Sequence, residues 1–146
     1  MSKLLGTPYE RGKSDIIVSR KPTGGAALEE GLFVKQGVEG FVSLANASSS
    51  APAWGVIGQQ EAVACAVVLA GLKVAVQLDD AITPAAGATV YVSAVTNKAT
   101  NTDNSAANPA TAATFTGVIG TDGRSDNTAT KKTTVRWAEI NMQNGL

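Results

Sequence analysis

The apolar positions of this chain come in short bursts bounded by glycine, and from residue 31 onward no long segment keeps a helical period free of glycine. Bursts of about four to eight residues rich in Val, Ile, Phe, Tyr and Thr read as β-strands. Residues 32–36 and 41–44 flank a short turn holding Gly37 and Gly40, which predicts a hairpin. Along 72–78, Leu72, Val74, Val76 and Leu78 alternate with Lys73, Ala75 and Gln77, so one face is expected to meet a core. Val90, Val92 and Ala94 repeat that spacing, and a terminal strand is predicted over 133–142. The apolar run 61–70 reads as a buried strand or as a short helix with Glu61 in its first turn. A turn at Gly71 that pairs it with 72–78 favours the strand. The expected fold class is all-β, a compact β-barrel or β-sandwich.

One phrase occurs twice. Gly55-Val56-Ile57-Gly58 follows Trp54, and Gly117-Val118-Ile119-Gly120 follows Phe115 and Thr116. Each is preceded by a loop rich in Ala, Ser, Thr, Asn and Pro, so the two read as one structural position visited twice. From the opening glycines, Gly31 and Gly87, the first unit spans 27 positions (58 minus 31) and the second 33 (120 minus 87). The extra residues sit in the second loop, where insertion costs little. The pattern predicts two similar β-units, about 31–78 and 87–142, each burying its apolar face against the other. Asp79-Asp80 and Pro84-Ala85-Ala86-Gly87 mark the connector between them.

Residues 1–26 differ in character. They carry charge, Pro8, Pro22 and the Gly24-Gly25 pair, and only Asp15-Ile16-Ile17-Val18-Ser19 is dense enough for a strand. They read as an extended N-terminal arm ahead of a single β domain at 27–146. Such an arm is either a clamp that orders against a partner or a terminus holding one edge strand. Lys3, Arg11, Lys13, Arg20 and Lys21 outnumber Glu10 and Asp15, which suits an acidic protein surface and equally a solvated tail. If the arm is a clamp, Tyr9, Ile16, Ile17 and Val18 are its contacts. Residues 96–113 have almost nothing apolar and are expected to form an exposed loop, with 122–127 a second polar loop.

Composition narrows the function classes. At 146 residues the chain can bury a real core, and its 12 basic and 12 acidic residues cancel. No overall field therefore argues for nucleic acid or an anionic membrane. No run of about 18 apolar residues is present and no signal peptide opens the chain, so it is expected to be soluble and unsecreted. Histidine is absent, which removes Ser-His-Asp and Cys-His pairs and the commonest zinc ligand. The single cysteine, Cys65, lies in an apolar run and reads as a small buried hydrophobe. Asp122 and Asp126 lack the alternating oxygen ligands and distal Glu of a calcium loop. Asp79 and Asp80 are adjacent, so in a strand they would point to opposite faces; a turn is the better reading. The glycine phrases lack the Lys-Ser/Thr of a phosphate-binding loop. No catalytic, metal or cofactor site is expected, and the chain reads as a non-enzyme. The aromatics read as core, with Trp54 and Trp137 the exceptions expected at an interface.

Five stretches then stand in a particular order. They are Gly31-Leu32-Phe33-Val34-Lys35, the first Gly-Val-Ile-Gly, residues 81–92 with Gly87-Ala88-Thr89-Val90-Tyr91-Val92, then Asn97-Lys98-Ala99-Thr100 and the second Gly-Val-Ile-Gly. In that order, over roughly 31–142, they resemble the capsid cement, or decoration, proteins of tailed bacteriophages. The resemblance implies a structural virion protein, made in the host cytoplasm, that sits on the outer surface of the capsid. There it would bridge neighbouring major capsid subunits, its partner, and resist the pressure of packaged DNA. It further implies a homo-oligomer, a trimer ahead of a dimer, with many copies multiplying a modest interface. Two other classes compete. One is a head-fibre or host-attachment module that uses 101–113. The other is a small trimeric β-enzyme of nucleotide metabolism, whose Asp in a glycine-flanked motif is missing here.

Overall fold

The computed structural model describes residues 8–10, 16–23, 28–36, 40–44, 55–60, 64–80, 82–93, 96–101, 113–125 and 132–142. The strands among them are β1 (Pro8–Glu10), β2 (Ile16–Pro22), β3 (Phe33–Gln36), β4 (Phe41–Leu44), β5 (Gly55–Gln60), β6 (Cys65–Gln77), β7 (Tyr91–Val92), β8 (Ala99–Thr100), β9 (Ala113–Ser125) and β10 (Lys132–Met142). The all-β class expected from the glycine-bounded bursts is the one that forms, and no α-helix occurs among the described residues.

The strand pairings make two closed circuits that share β6. In the first, β2 runs antiparallel to the early part of β6, with Ile17 facing Val68, and parallel to β4, with Pro22 facing Val42. From there β4 pairs with β3, β3 with β5 and β5 with β6, all antiparallel. Beyond Gly71 the same strand starts a second circuit. It runs antiparallel to β10, and β10 to β9. Thr89, leading into β7, then faces Thr114 antiparallel, β7 pairs antiparallel with β8, and Ala99 of β8 returns parallel to Leu78. Each pairing in the second circuit has the sense of its counterpart in the first.

The circuits also keep step along the sequence. Pro22 and Leu78, Gly31 and Gly87, and Val34 and Val90 are each 56 positions apart. Gly31 and Gly87 share a left-handed backbone, φ 86° and 85°. A left-handed residue also stands ahead of the second strand of each hairpin: Gly40, directly before β4, at φ 82°, and Asn97, two residues before β8, at φ 61°. Glycine adopts that region freely and Asn is among the few other residues that tolerate it.

The reversal predicted at Gly71 does not occur, because Cys65–Gln77 is a single strand of 13 residues. Its apolar start is already paired on both edges, with β2 and β5, and cannot fold back onto 72–77 without displacing one of them. A bulge replaces the turn. Ile140 faces Val74 while Met142 faces Gly71, so β6 holds one residue more than β10 there. Lys73 takes φ 55°, and its backbone N–H donates to Asn141 Oδ1 at 3.0 Å. Residues 122–125 are likewise strand rather than loop, with Asp122 facing Val135 and Ser125 facing Lys132, because β10 needs a ladder partner along that length.

The two glycine phrases occupy different places in their circuits. Phe33 faces Val56, inside the first phrase, whereas Thr89 faces Thr114, four residues ahead of Val118 in the second. The second phrase has local duties instead. Gly117, at φ 93°, sits in a bulge where Phe115 faces Ile140 and Ile119 faces Ala138. A Cβ on Gly120 would come within 2.6 Å of the Trp137 Cε2 atom, so only glycine fits under that indole.

Side-chain alternation sorts the core into layers. Leu28, Val34, Val42, Cys65, Val67 and Leu69 form the core of the first circuit. A larger cluster joins Val74, Val76, Leu78, Val90, Phe115 and Ile140 of the second circuit to Phe33, Val56 and Val68 of the first. Burying a Val, Leu or Phe side chain is worth about 1.5–3 kcal/mol, so this shared layer ties the circuits together. Gln77 reinforces the seam: its backbone N–H donates to the Gly31 carbonyl at 3.0 Å and its Nε2 to the Glu30 carbonyl at 2.8 Å.

Candidate interaction surface

Several polar side chains that could carry chemistry are held in structural hydrogen bonds. Arg136 brackets the connector after β6, donating from Nη1 to the Asp79 carbonyl at 3.0 Å and from Nη2 to the Ile82 carbonyl at 2.8 Å. Thr96 Oγ1 donates to Asp79 Oδ1 at 3.0 Å, so this carboxylate fastens the turn predicted at 79–80 to the hairpin of β7 and β8. Buried Glu139 accepts from Thr116 Oγ1 at 3.1 Å, across the β9 bulge. Cys65 is a buried free thiol whose Sγ donates to the Arg20 carbonyl at 3.5 Å, and burial pushes its pKa up. Among the described residues no group of three or more His, Cys, Asp and Glu could hold a metal ion.

The residues expected to meet a partner separate in the structure. Ile16 and Val18 are half-buried and pack against the core of the first circuit, so they hold the barrel together. Ile17 between them points outward and is 40% exposed. Tyr9 lies in β1, where Pro8 faces Val74 and Glu10 faces Leu72 on the edge of β6 opposite β10. Trp54 lies outside the described residues. Trp137, expected at an interface, is only 5% exposed and packs with Ala75 and Val135; the indole is core because Gly120 leaves room for it. Of the segment 1–26, residues 8–10 and 16–23 are described, and both of its strands pair with β6. The proposed 101–113 binding loop lies outside the described residues between 102 and 112.

An open strand edge escapes sequence reasoning. The Lys21 N–H donates to the Gly40 carbonyl at 2.9 Å, toward β4. Backbone groups alternate along a strand, so Ile17 and Ser19 direct their N–H and C=O to that same side, away from β6. No strand among the described residues pairs with that side before Lys21. Among the described residues the Ser19 carbonyl accepts from the neighbouring Arg20 guanidinium, at 2.7 Å and exposed. Ile17, Ser19 and Lys21 all face solvent, giving a short ribbon with one large apolar side chain and positive charge at one end. No protein-family model matches the chain, and no curated protein matches its sequence.

Proposed function

We propose that this chain is a structural virion protein: a cement or decoration protein that binds the outside of a phage head and stabilises contacts between major capsid subunits. The observation that carries the reading is exposed Ile17 beside an open strand edge, on a framework whose Asp79, Glu139 and Arg136 are engaged in holding the fold. Capture by another protein suits such a surface better than turnover of a small molecule. The resemblance that motivates the capsid falls on framework positions: the Gly87 turn, β7, the left-handed Asn97, and β8. Homo-oligomerisation, with a trimer ahead of a dimer, belongs to the same proposal.

The test is co-sedimentation with capsid shells that lack the protein. Removing residues 1–26 would delete β2 and open the first circuit, so binding lost on that truncation would report unfolding alone. Full-length protein, a version lacking 1–12, and Ile17→Asp are the informative set. Saturable binding at a fixed ratio per capsid subunit, weakened by Ile17→Asp with an unchanged circular dichroism spectrum, is expected. No binding by the folded full-length protein would overturn the cement reading and favour the host-attachment module.

A further inference from the structure

We infer that the open edge of β2 is a strand-acceptor site for an extended segment of a partner protein, built to the pattern of the edge that already holds Pro8–Glu10. The inference rests on the reading of the chain as a protein-binding module and names the surface it uses.

The two circuits supply the argument. In the second, the opening strand is the latter half of β6, and the edge opposite β10 is filled by β1, with Pro8 facing Val74 and Glu10 facing Leu72. In the first, the opening strand is β2, and the step of 56 residues makes Val18 the counterpart of Val74 and Ile16 that of Leu72. Both edges end alike, with β4 taking over at Lys21 and Pro22 and β8 at Leu78. One edge is occupied, and the other has no strand partner among the described residues.

The occupant belongs to another protein, as the protein-binding reading requires. Among the described residues the one donor segment, β1, is spent on β6. A second copy could offer its own β1 only by stripping its own β6, which gains no pairing overall. The chemistry of the guest follows from the edge. It runs antiparallel to β2 and needs no N–H opposite Val18, as Pro8 needs none opposite Val74. It lays an apolar side chain beside Ile17, and it gains from a carboxylate near exposed Lys21. Ladder hydrogen bonds would supply affinity and these side chains the selectivity.

The probe is a synthetic peptide of residues 5–12 of this chain, whose centre fills the equivalent edge. Hydrogen exchange is followed in the full chain and in a version lacking 1–12. The full chain should take one equivalent and slow exchange at the Ile17 and Ser19 amides by about tenfold or more. The truncated version should take two equivalents and gain protection along β6 as well. A peptide with Leu5→Asp, which brings a carboxylate opposite Lys21, should bind several-fold tighter at low salt. In the protein, Ser19→Pro removes an N–H that points to the open edge and spares the β6 ladder, so it should abolish the β2 site alone; Ile17→Asp, if the proline variant fails to fold, should weaken it. Protection confined to the β6 edge, or wild-type binding by folded Ser19→Pro, overturns the inference. The peptide arm needs no shell: failed co-sedimentation with intact peptide binding would overturn the cement reading alone, and the converse result the acceptor site alone.

Discussion

The two circuits follow one pairing scheme, yet they are finished differently. The second carries a full apolar layer containing Phe115, Ile140 and Leu78, and its opening edge is covered by β1. Among the described residues the first has a core of Val, Leu and Cys65, it lends Phe33, Val56 and Val68 to its neighbour's layer, and its opening edge has no strand partner before Lys21. The same pairing scheme thus ends in a covered edge on one side and, among the described residues, in an uncovered one on the other. Natural sheets seldom leave an edge bare without a device to blunt it, and Arg20 over the Ser19 carbonyl is the device here.

The largest expected effect tests whether the circuits stand or fall together. Phe33 belongs to the first circuit and Phe115 to the second, and both are buried in the shared layer. Phe33→Ala and Phe115→Ala should each cost about 3–5 kcal/mol. Each should shift one common unfolding transition, followed by circular dichroism in urea. A pair of transitions, with Phe115→Ala moving only one, would mean that the shared layer does not couple the circuits.

Glycines sharpen the comparison at lower cost. Gly120→Ala drives a methyl group into the Trp137 indole and should destabilise by about 1–3 kcal/mol, with a shift in Trp137 fluorescence best read in a Trp54→Phe background. Gly40 is a different case. A Cβ there meets nothing within 4 Å, so Gly40→Ala bears only the cost of φ 82°, about 1–2 kcal/mol. Its counterpart Asn97 shows what the second circuit accepts, so Gly40→Asn should recover most of that loss in thermal melts. Equal losses for Ala and Asn would break the equivalence of the two turns.

How much of this was legible in the sequence depends on the range of the forces involved. The hairpin of β3 and β4, the strand β10, the turn at Asp79-Asp80 and the burial of Cys65 follow from local alternation and turn chemistry, and each was readable. The continuity of β6 was not. Gly71 looks like a reversal until β2 and β5 are known to occupy both edges of the preceding run, and that pairing is long-range. The repeat was visible in Gly31 and Gly87, yet the loudest echo, Gly-Val-Ile-Gly, marks positions that differ in register. At the candidate surface, alternation alone could have separated Ile17 from Ile16 and Val18. That β2 has an open side could not be read at all, since an edge is defined by what fails to pair with it.

The smallest predicted effect separates the circuits by pH. Through the pairing scheme Arg20 faces Cys65 in the first circuit, and its counterpart Val76 faces Ala138 in the second, so only the first buries a titratable thiol at this position. Desolvation raises the Cys65 pKa above its ordinary value. An unfolded cysteine ionises near pH 8.5. The sign follows from linkage: below that pH both states hold the proton and the stabilisation is fully present. As pH climbs toward the raised folded value, only the unfolded state releases its proton, and stability is lost. Between pH 7 and pH 10 the urea midpoint of the wild type should therefore fall more steeply than that of Cys65→Ala, with lysine and tyrosine titrations common to both and cancelling. Native protein should also resist iodoacetamide until urea opens the first circuit. Parallel midpoints, or rapid labelling of the folded protein, would show that the core of the first circuit is open to solvent, and the contrast between a sealed interior and an available edge would then fail.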